Sequence, residues 1–227
     1  MSNEIANNLA SIKKRIAAYE LTYGRPSGSV KLLAVSKNQA VEKILSAVEA
    51  GQFCFGENYL QEALSKIPLL PKSIEWHFIG PIQSNKTRKI AEHFAWVQSV
   101  DNIDIAKRLN DQRPAHLPPL NICIQVNISK ETSKSGVAEN KVRTLIEDCS
   151  SLSRLTLRGL MAIPAFHAHF VDQRKTFHLL FSLWSSLCQQ GLMLDTLSMG
   201  MSADVEAAIA EGSTLVRLGT ALFGARN

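Results

Sequence analysis

Short apolar runs alternate with helix-period segments along the whole chain. Each run is rich in β-branched and aromatic residues and stays apolar over most of its length, which is typical of a strand covered on both faces. There are eight such runs, at 31–37, 53–58, 74–80, 95–100, 121–127, 157–163, 196–201 and 214–219. The segments between them predict amphipathic helices, as in the stripe Val41, Ile44, Leu45 and Val48, which is followed by Gly51.

Eight strands alternating with helices predict the α/β class and, more specifically, a single (β/α)8 barrel of the TIM type. No linker divides the sequence, so we expect one domain over residues 1–227. The main rival is an open doubly wound sheet, but no strand-to-helix turn carries the glycine pattern of a dinucleotide fold. An additional N-terminal helix is predicted from one apolar face before the first strand: Ile5, Leu9, Ile12, Ile16 and Tyr19.

Composition narrows the class of partner. The formal net charge is +5, which suits a small anionic ligand and is too scattered to indicate nucleic-acid binding. No apolar run approaches the roughly 18 residues of a membrane span, and the first residues lack the apolar stretch of a signal peptide. The four cysteines form no C-x-x-C pair, so reduced thiols are favoured over a zinc or redox site. We therefore expect a cytoplasmic protein.

Polar residues collect where the predicted strands end, which is where barrels of this type place their chemistry. Lys37, Asn58 and Asn127 close the first, second and fifth strands, and His77 lies within the third. Lys37 shares a face with Val35, so its amine points into the barrel if Val35 fills the interior. A desolvated lysine there can attack an aldehyde, whereas a lysine at a strand end can also extend into solvent.

Arg217 poses a related question, because its alternation with Leu215 and Gly219 directs it into the barrel. A buried guanidinium stays charged and needs acceptors. Either a structural partner or a ligand can provide them. Few carboxylates occupy the strands, so a ligand acceptor is at least as favoured.

A phosphate site is indicated after the last two strands. Ser202 is a natural N-cap for the helix after the seventh strand, and Gly219 and Thr220 open the final turn. Loops after strands seven and eight form the usual phosphate site of these barrels. Ser202 could instead serve only its own helix. Small, donor-rich residues in both loops favour phosphate.

The sequence resembles the pyridoxal phosphate homeostasis proteins, relatives of the N-terminal barrel of alanine racemase. The resemblance covers nearly the whole chain and departs from the family pattern at Asn38-Gln39-Ala40, where threonine and proline are more usual. Several blocks in one order carry it: LAVSK (33–37), FGENY (55–59), HFIGPIQSNK (77–86), SKSG (133–136), RGLM (158–161), SMGMSAD (198–204) and VRLGT (216–220).

The resemblance implies roles for these residues. Lys37 would form the Schiff base with pyridoxal 5′-phosphate, Arg217 would face the pyridine nitrogen, and Ser202, Gly219 and Thr220 would hold the phosphate. Asn58 and His77 match positions near the cofactor. Lys134, in the Ser-Lys-Ser-Gly block, looks like a family position that takes up cofactor transiently. Five basic residues could form an anion-attracting rim, although a solvated basic surface is the default: Lys86, Arg88, Lys89, Lys130 and Lys134.

The function expected is therefore binding of pyridoxal phosphate and its buffering or delivery, without enzymatic activity. An amino-acid racemase is the alternative, and a Schiff-base aldolase is a third reading that leaves Arg217 unexplained. A racemase needs a second base, in alanine racemase a tyrosine placed with a second domain, and here the sequence ends at Asn227. Pyridoxal-phosphate-dependent apoenzymes are possible partners, no metal site is expected, and a monomer is slightly favoured.

Overall fold

The computed structural model describes residues 2–129 and 135–224. Eight parallel strands close into a barrel in sequence order, each paired with the next and the last with the first. The strands are β1 (Lys31–Val35), β2 (Cys54–Glu57), β3 (Glu75–Phe78), β4 (Trp96–Val100), β5 (Leu120–Gln125), β6 (Leu155–Met161), β7 (Thr196–Ser198) and β8 (Leu215–Leu218). The predicted (β/α)8 barrel is confirmed, and the open doubly wound sheet is excluded.

Helices surround the barrel and connect successive strands. In chain order they are α1 (Ser2–Thr22), α2 (Val41–Glu49), α3 (Leu60–Lys66), α4 (Thr87–His93), α5 (Ile103–Gln112), α6 (Val142–Cys149), α7 (Phe170–Gln189), α8 (Val205–Ala210) and α9 (Thr220–Phe223). Single 3-10 turns occur at Ile67–Leu69, Ser84–Lys86 and Glu139–Lys141. No helix in the described part of the chain is both long and apolar enough to cross a membrane.

The N-terminal helix is present and buries the face that its period predicts. Ile5, Leu9, Ile12 and Ile16 are all at least 94% buried. The carboxylate of Glu20, on the same helix, accepts hydrogen bonds from the backbone N–H groups that lead into β1. The helix is therefore joined to the barrel by an apolar stripe and by a buried polar contact.

Two kinds of core follow from the strand alternation. Outward-facing residues such as Phe55 and Phe78 pack under the helices in the main hydrophobic cluster. Inward-facing apolar residues form two smaller groups inside the barrel, Leu33 with Ile79 and Leu215, and Trp96 with Cys123 and Met161. The barrel interior is thus a packed core, as expected for eight strands.

All strands except β4 end one to three residues earlier than predicted. Lys37 and Asn127 lie two residues beyond β1 and β5, and Asn58 lies one residue beyond β2. The strand β7 ends at Ser198 rather than at residue 201, because the chain turns at Gly200, where φ is +99°. The polar residues therefore stand on the turns that follow the strands.

Candidate functional site

Six of the seven residues predicted to bind a cofactor line one cavity at the carboxyl ends of the strands. The cavity has a volume of about 290 Å³. This is close to the lower end of the range of roughly 300–1,000 Å³ found for ligand sites. The six residues are Lys37, Asn58, Ser202, Arg217, Gly219 and Thr220.

Apolar side chains complete the walls of this cavity. Val35, Ile79, Ile163 and Met201 line it, and Ile163 and Met201 are both more than a third exposed. The sequence placed Val35 inside the barrel but gave no reason to assign the other three to a ligand, because an apolar residue at a strand end carries no chemical signature. The result is an open, partly apolar cavity with a few convergent polar groups.

His77 is the seventh predicted residue, and the structure places it outside this cavity. Val35 pairs with Gly56, and Gly56 pairs with His77, so His77 lies at the height of Val35 and two residues below Lys37. Its side chain is buried and its ring stacks on Trp96 at 5.0 Å between centroids. Ile79, two residues further along the chain and just beyond β3, lines the cavity instead.

Hydrogen bonds hold His77 in one tautomer. Gln98 donates from Nε2 to His77 Nδ1 at 2.9 Å, so the proton resides on Nε2, which contacts Glu75 Oε1 at 3.0 Å. Burial lowers the pKa of His77, and the bond from His77 holds the pKa of Glu75 at about 2. His77 is therefore a neutral structural donor inside the barrel.

Arg217 is buried at the floor of the cavity among neutral acceptors. It donates from Nη1 to Ser198 Oγ at 2.5 Å and from Nη2 to the Ala162 carbonyl at 2.8 Å. Burial lowers the pKa of Arg217 to about 10, and the charge of Asp204 opposes this effect. The guanidinium remains charged at neutral pH, and no carboxylate in the described part of the chain forms an ion pair with it.

Ser198 connects Arg217 to the residues around His77. Its hydroxyl accepts from Arg217 and donates to Gln98 Oε1 at 2.6 Å. Gln98 then donates to His77. A polar column thus runs through the barrel interior and fixes the orientation of Arg217 from below.

The loop after β7 corrects one expectation. Asp204, not Ser202, occupies the N-cap position of α8, and its carboxylate accepts from the Met201 N–H at 2.6 Å. This contact closes a turn over Met201–Asp204 and leaves Ser202 exposed, before the first turn of the helix. Ser202 therefore lines the cavity but caps nothing.

Gly219 and Thr220 form the other side of the cavity. Gly219 is the N-cap of α9, and Thr220 is its first residue. The first amide groups of a helix have no acceptor within the helix, so they are available to an anion. A Cβ atom at Gly219 would lie 3.0 Å from the Val35 carbonyl, which shows how closely β8 and β1 approach here.

Asn58 lines the cavity and carries a buried acceptor. Its Oδ1 atom is buried and has no hydrogen-bond partner among the described residues. A buried acceptor without a partner is costly, so a ligand donor or water is expected there. Lys130 and Lys134 lie outside the described residues.

A second cavity lies at the opposite end of the barrel. It brings together Cys54, Glu75 and His77, whose possible ligand atoms are all within 4.8 Å of one another. Lys31 and Arg158 line the same cavity, and their charges oppose binding of a cation.

Comparisons with known proteins identify the family of this chain. Residues 3–227 match the family model "Alanine racemase, N-terminal domain". The chain is 55% identical over 224 residues to the pyridoxal phosphate homeostasis protein of Pseudomonas aeruginosa, covering 98% of this chain and 96% of the relative. It is 50% identical over 229 residues to the protein of the same name from Escherichia coli K12, covering 99% and 98%.

Solved structures extend the comparison. PipY of Synechococcus elongatus PCC7942, with PLP bound, superposes with a TM-score of 0.84 at 37% identity, covering 97% of this chain and all of that one. Alanine racemase from Bartonella henselae shares the fold at a TM-score of 0.75 and 16% identity, with 99% of this chain and 59% of that one covered. The chain belongs to the alanine racemase N-terminal domain family and, within it, to the pyridoxal phosphate homeostasis proteins.

Proposed function

We propose that this protein binds pyridoxal 5′-phosphate in the cavity at the carboxyl ends of the strands and holds it as a Schiff base on Lys37. The observation that carries the proposal is the meeting of Lys37, Arg217, Ser202 and Thr220 in one cavity of about 290 Å³. An amine, a buried cation and two hydroxyls match the aldehyde, the ring and the phosphate of this cofactor. PipY, 37% identical, has been solved with PLP bound.

The residues present fit the cofactor. When bound, it supplies an aldehyde that condenses with an amine and a ring that withdraws electrons. Lys37 would provide the amine, and Ser202, Gly219 and Thr220 would hold the phosphate. Asn58 Oδ1, a buried acceptor without a partner in the described part of the chain, would contact a donor on the ligand side.

Arg217 would face the ring nitrogen, and its charge has a chemical consequence. A permanent cation disfavours protonation of a neighbouring nitrogen, so the ring withdraws electrons less strongly. The column through Ser198 and Gln98 keeps the guanidinium in place. Such a site binds the cofactor well and assists carbanion chemistry less than a carboxylate partner would.

We infer that the role is to buffer or deliver the cofactor and not to catalyse a reaction. Racemisation needs a base on each face of a carbanion. Among the described residues that line the cavity, Lys37 is the one candidate base, because Arg217 stays protonated. His77 does not supply a second base, because it lies outside the cavity and donates to Glu75.

The wider assignments are proposals of the same kind. The relatives carry the name homeostasis protein, which supports delivery to pyridoxal-phosphate-dependent apoenzymes. The four cysteines are free thiols, which supports a cytoplasmic location. We retain a monomer as the expected state in solution.

The spectrum of the purified protein tests the proposal. With pyridoxal phosphate, the wild-type protein should show the absorbance of a protein-bound Schiff base, and Lys37→Ala should lose it. Lys107→Ala, on the exposed face of α5, is the matched lysine control and should leave the spectrum unchanged. A Lys37→Ala protein with the wild-type spectrum would refute the assignment.

Exchange of the α-proton of alanine in heavy water separates binding from racemisation. The protein should exchange this proton no faster than free pyridoxal phosphate does. Inversion of alanine at enzymatic turnover, abolished by Lys37→Ala, would instead establish a racemase.

A further inference from the structure

The turn that carries Lys37 is held from behind by a buried ion-pair group. Ser36 precedes Lys37 and is fully buried, and Asn38 follows it with φ of 58°, in the left-handed region. The backbone on either side of Lys37 is therefore not that of a relaxed surface loop. Something has to fix this backbone so that the amine of Lys37 enters the cavity.

Lys66, the last residue of α3, makes the central contact. Its ammonium donates to the Ser36 carbonyl at 2.8 Å and to Glu57 Oε1 at 3.0 Å. It also forms a short contact with Glu62 Oε1, one helical turn earlier. The three N–H groups of a lysine thus have three acceptors, although only 7% of the side chain is exposed.

The two carboxylates extend this hold to both neighbours of Lys37. Glu57 Oε1 accepts from the Ser36 hydroxyl at 2.7 Å, and Glu62 Oε1 accepts from the Asn38 N–H at 2.6 Å. Glu57 is fully buried, and its other oxygen has no partner among the described residues. Lys66 therefore provides the positive charge that offsets the desolvation cost of burying this carboxylate.

A group of this kind does little for net stability. Buried ion pairs can often be replaced by apolar residues without loss of stability, because desolvation offsets their attraction. They do impose one geometry, since each donor must meet its acceptor. Here the geometry imposed is that of residues 36 and 38, on either side of the residue that would bond the cofactor.

We propose that Lys66 is a positioning residue for Lys37, acting through Ser36, Glu57 and Glu62 to aim the amine of Lys37 into the cavity. This rests on the proposed function, since it concerns formation of the Schiff base on Lys37. Lys66 does not line the cavity and contacts no residue of the phosphate side. Its loss should therefore slow bond formation and spare the rest of ligand binding.

Two ligands separate these effects. Pyridoxal phosphate forms the covalent bond, and its rate of formation is measured by stopped-flow absorbance on the cofactor-free protein. Pyridoxine phosphate carries an alcohol in place of the aldehyde, and its dissociation constant reports the cavity alone. Lys66→Met should slow bond formation about tenfold or more, as expected when hydrogen bonds from a charged group are lost, and should change the pyridoxine phosphate constant less than about threefold.

Conservative and distant variants complete the design. Lys66→Arg keeps a cation with several donors and should recover part of the rate. Lys89→Met removes an exposed lysine paired with Glu92 on α4 and should have the wild-type rate. Glu62→Gln weakens the acceptor of the Asn38 N–H while keeping Lys66, and it should slow the reaction about threefold. This variant replaces Lys66→Met as the test if Lys66→Met does not fold.

The outcomes are distinct. A wild-type rate in Lys66→Met would overturn the positioning role. If Lys66→Met does not fold, a wild-type rate in Glu62→Gln would do the same. Equal loss of affinity for both phosphate ligands would do so too, since it indicates a general loss of structure. If the wild-type protein forms no covalent bond at Lys37, the proposed function fails together with this inference.

Discussion

The guanidinium of Arg217 is buried beside a hydroxyl and a carbonyl, and this arrangement determines what the cavity can hold. Neutral acceptors take up two of its five N–H groups without cancelling its charge, so the cavity floor stays positive. The alternation in β8 predicted that Arg217 faces inward. It could not predict Ser198 and Gln98 as its support, because their contacts depend on strands far apart in sequence.

Hydroxyl groups at the cavity allow a test of the phosphate site. Ser202→Ala and Thr220→Val should each weaken binding of pyridoxal phosphate and leave unphosphorylated pyridoxal nearly unaffected. A hydrogen bond to a charged group is worth roughly 1.5–3 kcal/mol, so we expect a loss of about tenfold or more. Isothermal titration with both ligands measures this, and equal weakening of the two would contradict the assignment.

The strands, as elements, were largely predictable from the sequence. Their apolar runs are unmistakable because helices cover the outer face and side chains fill the barrel. The position of each residue along the barrel axis was not predictable, because it depends on the pairing register of adjacent strands. The resemblance implied that His77 lies near the cofactor, whereas the structure has Ile79, two residues on, lining the cavity.

Loop geometry was the other limit of the sequence. Ser202 and Asp204 both have the chemistry of a helix cap. Asp204 occupies the N-cap position, but its carboxylate accepts from the Met201 N–H and from no N–H group of α8. Lys66 gave one signal, its spacing of four residues from Glu62, which is typical of a helix ion pair. That spacing did not reveal the contact with Ser36, which comes from another element.

The turn after β7 allows a prediction about the cost of replacing its glycine. Gly200 has φ of +99°, and an added Cβ would lie 2.5 Å from the Cβ of Ala208. Gly191 has φ of +92° and open space around it. Gly191→Ala should cost about 1 kcal/mol from backbone strain alone, and Gly200→Ala should cost clearly more because α8 must move.

Urea unfolding of the two glycine variants measures this difference. Gly200→Ala should also weaken pyridoxal phosphate binding, since Ser202 lies on the displaced turn, whereas Gly191→Ala should not. Equal destabilisation by both variants would show that contact with α8 is unimportant.

The free energy of unfolding of the whole molecule should fall in acid, because of the pair at the end of the polar column that lies farthest from the cavity. The hydrogen bond from His77 holds the pKa of Glu75 at about 2, below its usual value of 4.5. Because the pKa is depressed in the folded state, this group stabilises the protein above pH 4.5 and the contribution is lost as the pH falls toward 2. Since the carboxylate is half-exposed, we expect about 1–2 kcal/mol after allowance for solvent screening.

The urea midpoints of wild type and Glu75→Gln at pH 7 and pH 3 test this contribution. The variant should be less stable at pH 7, and its difference from wild type should be less than half as large at pH 3. Glu49→Gln, on the exposed face of α2, is the surface control and should follow the wild type at both values. A Glu75→Gln protein with wild-type stability at pH 7 would contradict the role of this pair.

The central claim concerns one bond, between pyridoxal phosphate and Lys37. Borohydride reduction of the protein with its cofactor, followed by proteolysis and mass spectrometry, fixes and locates the label. We predict a single pyridoxyl group on the peptide that contains Lys37. A label on any other lysine, with Lys37 unmodified, would contradict the account.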